Sequence, residues 1–169
     1  MGGSSLGSLV LQQAFPDAPG LRVEVLDSTV PETVDAALAG DLSQTLVLVA
    51  SKSGTTVEPL AFEEAAFARL TQQLGVAAGN HMIAITDPGT PMQERAERRG
   101  YRAVVLGEPE IGGRFSVLSV FGMTTAALMG VDVAEILSGA LEFGEQTCDS
   151  VANETSPFFK GVVIALAAQ

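Results

Sequence analysis

The sequence has 169 residues, 47% of them hydrophobic, which is enough for one compact domain with a sizeable core and too few for two ordinary ones. Nine Lys and Arg stand against 20 Asp and Glu, and the formal charge of -11 excludes nucleic acid and anionic membrane surfaces as electrostatically favoured partners. A phosphate bound by such a chain has to be held at short range, by backbone and hydroxyl donors and not by a basic field.

The predicted elements follow in chain order. A helix over Ser5–Phe15 leads to a strand at Leu21–Leu26, a helix at Pro31–Ala39 and a strand at Thr45–Ala50. A long helix, Val57–Leu74, carries apolar residues Leu60, Phe67, Leu70 and Leu74 at helical spacing, and precedes a strand at His81–Thr86. A helix at Pro91–Arg99 and a strand at Arg102–Leu106 complete the alternation; Pro31 and Pro91 sit where a first helical turn tolerates a missing amide. Short β-branched runs alternating with helices predict an α/β fold: a three-layer α-β-α sandwich on a mainly parallel sheet, of flavodoxin or Rossmann-like topology. After Leu106 a glycine-rich loop gives way to three helices, Ser116–Met129, Val133–Gly144 and Pro157–Ala168. The first of these is almost wholly apolar and is expected to be a buried packing element.

Both ends read as cuts. A glycine-rich turn opening a helix normally follows a strand, so the first strand is expected to be missing before Gly2, and the apolar run at Val162–Gln169 stops without a cap or breaker. Residues 1–169 are therefore expected to form a single domain taken from a longer chain. The one cysteine, Cys148, has no disulfide partner and no His or second Cys at ligand spacing, so no metal is expected and a reducing cytoplasm fits best. The longest apolar runs fall short of a membrane span and no secretory leader is visible, so the chain reads as soluble.

Three short motifs are placed to carry chemistry. Ser51-Lys52-Ser53-Gly54-Thr55-Thr56 lies between the end of a strand and the start of a helix. Unpaired first-turn amides, the helix dipole and the hydroxyls of Ser51, Ser53, Thr55 and Thr56 there suit an anion, whereas the spacing of a triphosphate-binding P-loop is absent. The plain alternative is that these residues only cap and turn. Lys52 either touches the ligand or points to solvent, and Glu58 either takes part in the site or serves the helix dipole.

Gly2-Gly3-Ser4-Ser5-Leu6-Gly7 is a second tight turn before a helix. Its spacing fails the dinucleotide fingerprint at Ser4, although Asp27 could imitate the ribose-binding acid. Gly3 and Ser4 suit a sugar better, with helix capping as the plain alternative. Gly112-Gly113-Arg114-Phe115-Ser116 presents an arginine on a flexible loop, either as a surface cation or as a group that stabilises a developing oxyanion. His81, the only histidine, is expected to be structural.

In this order and spacing, GGSSLG, SKSGTT and GGRFS resemble the N-terminal sugar isomerase (SIS) domain of the glucose-6-phosphate isomerases, including forms fused to a transaldolase. Thr86–Thr90 and Gly113–Gly122 share the resemblance, which spans most of the chain. It implies interconversion of glucose 6-phosphate and fructose 6-phosphate without metal or cofactor: ring opening, proton abstraction by a glutamate, a cis-enediolate, and return of the proton to the neighbouring carbon. Carried over, Ser51, Ser53, Thr55 and Thr56, with Lys52, would hold the phosphate. Gly3 and Ser4 would face the sugar, and Arg114 would be catalytic by offsetting the enediolate charge. The family's base glutamate, ring-opening histidine and a further lysine belong to downstream motifs that nothing here matches, so the expectation is ligand binding without turnover. The expected partners are a sugar phosphate, the remainder of its own chain and, through the apolar last helices, a second subunit as an open option. A regulatory sugar-phosphate sensor, an amino-sugar-phosphate isomerase and, more distantly, a nicotinamide dehydrogenase are the competing readings.

Overall fold

The computed structural model describes residues 3–148 together with Lys160, Val163, Ile164, Leu166 and Ala167. The chain divides into two compact units, Met1–Val131 and Asp132–Gln169.

The first unit is built on three parallel strands, β1 (Val47–Ala50), β2 (Met82–Thr86) and β3 (Ala103–Leu106), in the order β1-β2-β3. Val47 pairs with Met82 and Ala50 with Ile85 on one side of β2; Ile83 pairs with Ala103 and Thr86 with Leu106 on the other. β2, at the centre, is buried at every residue, which is why it reads as an unbroken apolar run. Around the sheet stand α1 (Gly3–Ala14), α2 (Pro31–Ala37), α3 (Val57–Leu74), α4 (Pro91–Arg98) and α5 (Val120–Leu128). The two crossovers, through α3 and α4, step the same way along the sheet and so lie on the same face.

Alternation along the strands sorts the core into two layers. Val49, Met82 and Ala84 point toward Leu38 and Leu42, which follow α2, and toward Ala66, Leu70, Met92 and Ala96 on the inner surfaces of α3 and α4. Ile83 and Ile85 point the opposite way, onto Phe121 at the start of α5. The predicted three-layer α/β arrangement is thus present, with α5 as the buried element on the second face: Phe121, Gly122, Met123, Thr125 and Ala126 are all buried.

Two expectations are corrected. Leu21–Leu26, whose short apolar-rich run closed by Asp27 predicts a strand, is not one and pairs with no strand among the described residues. Its start is tied instead to the end of α5, where the Gly20 and Leu21 amides donate to the Met129 and Leu128 carbonyls at 2.7 Å each, and Gln12 of α1 donates to the Val23 carbonyl at 3.0 Å. Gly20 lies so close to Met129 that an added Cβ would fall 2.4 Å from its carbonyl carbon, so the contact with α5 holds this segment where it is.

The helix predicted over Ser116–Met129 is also broken. Gly113–Leu118 is a 3-10 helix, and α5 starts only at Val120, because Ser119 adopts an extended backbone and accepts a hydrogen bond from the Phe121 amide at 3.3 Å. A residue with a Cβ at Gly122 would place it 1.9 Å from the Val117 carbonyl oxygen, so the bend needs glycine there.

α3 and α4 are joined by a polar cluster that the apolar pattern does not reveal. Glu63, fully buried in α3, accepts from Arg95 at 3.0 Å, from Arg99 at 2.7 Å and from the Tyr101 hydroxyl. Glu64, more exposed, accepts from the same Nη1 of Arg95 at 2.8 Å and from the second arm of Arg99, Nη2, at 2.7 Å. Arg99 also lies 4.3 Å above the Phe67 ring. Burial and the hydrogen bond to Glu63 push the Tyr101 hydroxyl pKa up. The hydrogen bond from Arg99 outweighs desolvation and holds the Glu64 carboxyl below its usual value of 4.5. A carboxyl with a depressed folded-state pKa adds stability above its unfolded pKa and loses it as pH falls through the folded value. In urea titrations the Glu64→Gln chain should therefore unfold at a lower midpoint than wild type at pH 7, and the gap should close as pH is taken below 4.5. A gap independent of pH would show that charge is not what Glu64 contributes.

The second unit contains α6 (Val133–Cys148), capped by Asp132, whose carboxylate accepts from the Glu135 amide at 3.0 Å. Of the predicted helix Pro157–Ala168, Lys160, Val163, Ile164, Leu166 and Ala167 are helical and the remainder lies outside the described residues. No helix among the described residues is long and apolar enough to cross a membrane.

Candidate phosphate-binding site

The three strands end on one edge of the sheet, and the residues that follow them lie side by side. Ser51 continues the β1 ladder, its amide donating to the Ile85 carbonyl at 3.0 Å; the Asp87 amide donates to the Lys52 carbonyl at 3.0 Å; and the Gly107 amide donates to the Thr86 carbonyl at 2.8 Å. The C-terminal edge of an open parallel sheet is where such folds bind ligands.

From this edge the SKSGTT turn runs into α3. Ser51 is buried, and its Oγ has no hydrogen-bond partner among the described residues. Ser53 organises the turn, accepting from the Thr55 amide at 3.3 Å and from the Thr55 hydroxyl at 2.9 Å. Thr56 occupies the N-cap of α3 but its side chain makes no capping bond. The Val57 and Glu58 amides, at the first two helical positions, have no intrahelical acceptor, and Pro59 carries no amide hydrogen. The start of α3 thus offers amides and an uncommitted hydroxyl together with the positive end of its dipole, which is the equipment for an anion without a charged side chain. Glu58 is half-buried at the second position of α3, where its charge suits the dipole.

Gly54 is dictated by packing as well as by backbone conformation. Its φ is +64°, and a Cβ would lie 2.9 Å from the Met92 amide nitrogen and 2.9 Å from Thr90 Cβ. The turn is pressed against the start of α4, where Thr90 caps the helix by accepting from the Gln93 amide at 3.3 Å and shares a 2.7 Å hydrogen bond with the Thr86 hydroxyl. Gly54→Ala should cost at least about 1 kcal/mol for the left-handed backbone alone, and more for the clash. A urea midpoint equal to that of wild type would show that the turn has room to move.

Lys52 departs from its sequence-based assignment as a ligand-binding residue. Its ammonium donates to Asp87 Oδ2 at 2.5 Å, to the Glu108 carbonyl at 3.1 Å and to the Pro109 carbonyl at 3.0 Å. An ammonium has three hydrogens, so its donors are all committed within the protein. Asp87 falls in the Thr86–Thr90 stretch, where an acid directly after the central strand is the signal for it; Glu108 and Pro109 take part through backbone carbonyls, which leave no signal in the sequence.

Arg114 sits in the 3-10 helix Gly113–Leu118, exposed, its guanidinium 6.0 Å from the Phe115 ring centroid and without an ion pair among the described residues. This 3-10 helix packs against α1: a Cβ on Gly7 would meet Val117 Cα at 3.3 Å. Gly3 and Ser4 belong to the first turn of α1, so the motif predicted as a loop is already helical there. Ser5 donates to Asp27 Oδ2 at 3.3 Å, and Ser8 shares a 2.9 Å hydrogen bond with Thr125 of α5. The fold therefore sets the GGSSLG helix against the GGRFS segment, and Lys52 joins the SKSGTT turn to the stretch leading into GGRFS. His81 donates through Nδ1 to the Thr45 carbonyl, 3.0 Å away, a structural tie between the end of the Gly75–His81 3-10 helix and the residues before β1.

A family model described as phosphoglucose isomerase matches residues 1–167. The chain belongs to the phosphoglucose isomerase family. It is 38% identical over 154 residues to a protein of Synechococcus sp. (strain JA-3-3Ab) named glucose-6-phosphate isomerase, a match that covers 87% of this chain and 28% of that relative. Among solved structures, a hypothetical protein of Thermus thermophilus superposes with a TM-score of 0.86 at 35% identity, over 98% of this chain and 40% of that one. A glucose-6-phosphate isomerase of Chlamydia trachomatis matches with a TM-score of 0.66 at 36% identity, over 76% of this chain and 25% of that one. The chain thus spans well under half the length of each of these proteins.

Proposed function

We propose that this chain supplies the sugar-phosphate-binding domain of a cytoplasmic glucose-6-phosphate isomerase of the SIS type, working in glycolysis and gluconeogenesis, with all 169 residues in that one domain. The observation that carries the reading is the start of α3: a buried Ser51 hydroxyl without a partner among the described residues, an N-cap Thr56 whose side chain makes no capping bond, and two amides without an intrahelical acceptor at the C-terminal edge of the sheet. Leaving a buried hydroxyl unpaired costs about 1–3 kcal/mol, so Ser51 is suited to meet an oxygen of a bound phosphate. Ser53, Thr55 and Thr56 complete the grip, with Gly3 and Ser4 toward the sugar. A neutral donor set suits a monophosphate ester bound by a protein of charge -11, since selectivity then comes from geometry and not from attraction of every anion.

In the reaction, the carbon-bound proton leaves as the carbonyl becomes an enediolate, and the negative charge builds on the oxygens of the first two sugar carbons. Arg114, exposed in its 3-10 helix, would be the cation that offsets that charge. The base that moves the proton and the group that opens the ring come from parts of a longer chain, and no metal or cofactor takes part. Glu58 remains a secondary candidate for substrate contact.

The test is direct. The purified 169-residue chain should bind fructose 6-phosphate, seen as shifts of the Ser51–Val57 amide resonances, without converting it to glucose 6-phosphate, because positioned general-base catalysis alone is worth roughly 10²- to 10⁴-fold. Rapid conversion by this chain, or shifts confined to residues away from that turn, would refute the proposal.

A further inference from the structure

The geometry points to the Lys52–Asp87 pair as a positioning device that sets Arg114 relative to the phosphate-binding turn. This rests on the proposed function above. Lys52 sits inside the turn whose neighbours grip the phosphate, yet its ammonium faces the protein. Its acceptors are one carboxylate oxygen from the end of β2 and two carbonyls, Glu108 and Pro109, from the stretch that follows β3. One side chain therefore gathers the ends of all three strands. Both members of the pair are largely shielded from solvent, with side chains 22% and 15% exposed, where a charge-assisted hydrogen bond is stronger than at an open surface.

Glu108 and Pro109 lie only a few residues ahead of Arg114. The stretch between them is folded by local turns: the Ile111 amide donates to the Glu108 carbonyl at 3.1 Å, and the Phe115 amide to the Gly112 carbonyl at 2.9 Å. The base of the stretch is fixed by the Gly107 amide on the Thr86 carbonyl and by the fit of Gly107 against Asp87, whose Oδ1 would be 2.8 Å from an added Cβ. Holding the Glu108 and Pro109 carbonyls on Lys52 thus fixes where the arginine-bearing 3-10 helix begins. Lys52 and Asp87 touch no reacting atom in this scheme; they act through Arg114.

Two probes separate this role from direct phosphate binding: inorganic phosphate, which needs only the turn, and 5-phospho-D-arabinonate, whose carboxylate adds the negative charge that Arg114 would meet. Both are titrated by NMR into the ¹⁵N-labelled chain. In Lys52→Met, phosphate affinity should stay within about twofold of wild type, while the arabinonate should weaken by about tenfold or more, the scale of one charged hydrogen bond. Arg114→Ala should give the same split. Asp87→Asn, which keeps the shape and an acceptor for Lys52, should give a smaller split of the same kind, and it decides the matter if Lys52→Met does not fold. Equal losses for both probes would overturn the proposal by making Lys52 a phosphate ligand, and unchanged affinities would overturn it by making the pair inert. A wild-type chain that binds neither probe would instead remove the phosphate-site reading itself.

Discussion

Glu63→Ala should lower the unfolding free energy by about 3 kcal/mol or more, the cost of removing one partner from a buried ion pair. Glu63 is completely buried and accepts from Arg95, Arg99 and Tyr101 at once. Alanine leaves the Tyr101 hydroxyl without its acceptor and removes the buried carboxylate facing the two arginines, which keep Glu64 at the more exposed side of the cluster. Glu63→Gln should cost less, since an amide oxygen can still accept from Tyr101 or one arginine. Urea denaturation of the three proteins at pH 7 measures the series. A loss below about 1 kcal/mol for alanine would mean that water replaces the carboxylate and that α3 and α4 are held together by their apolar contacts alone. The cluster bears on function because α3 carries the anion-binding turn at its start and α4 is the helix on which that turn packs through Gly54. Loosening one helix against the other would displace the site.

The second large effect concerns chemistry. In the longer isomerase of which the proposal makes this chain a part, Arg114→Ala should reduce kcat by about 10²- to 10³-fold, the loss that follows removal of one preorganised donor to a developing oxyanion. KM should change far less, because the ground-state sugar phosphate is held chiefly by uncharged donors at the start of α3. Steady-state kinetics with fructose 6-phosphate separate the two parameters. If KM rose with kcat unchanged, the arginine would be a general binding group, and the assignment to the enediolate would fail. Arg114→Lys should recover only part of the activity, since an ammonium cannot reproduce the two-pronged geometry of a guanidinium.

Much of the framework was legible because its causes are local. The α3 boundaries follow from the hydroxyl turn before Val57 and the glycine after Leu74, and the observed helix coincides with the predicted one. β2 declares itself by an apolar run that only a strand covered on both faces can carry. The Leu21–Leu26 segment misled for the converse reason. A short apolar-rich run states that a segment could pair, whereas pairing requires a free sheet edge, and here the end of α5 takes the Leu21 amide and Gln12 the Val23 carbonyl. The break at Ser119 is hard to read from the sequence because Ser119 and Gly122 are each tolerated inside an apolar helix; what makes the break is the close packing of Gly122 on Val117, with Ser119 capping the new start.

The site divides in the same way. The sequence by itself determined that SKSGTT stands at a strand end and a helix start, since strand, turn and helix are contiguous and the donors of a helix N-terminus depend only on local backbone. Tertiary structure alone decided what Lys52 does and why Gly54 is glycine, because Asp87, Glu108, Pro109, Thr90 and Met92 lie 35 or more residues away along the chain and meet the turn only once the sheet has formed. Likewise Glu63 sits within the apolar face of α3 as if it were core, and only the packing of α4 supplies the two arginines that make a buried carboxylate tolerable there.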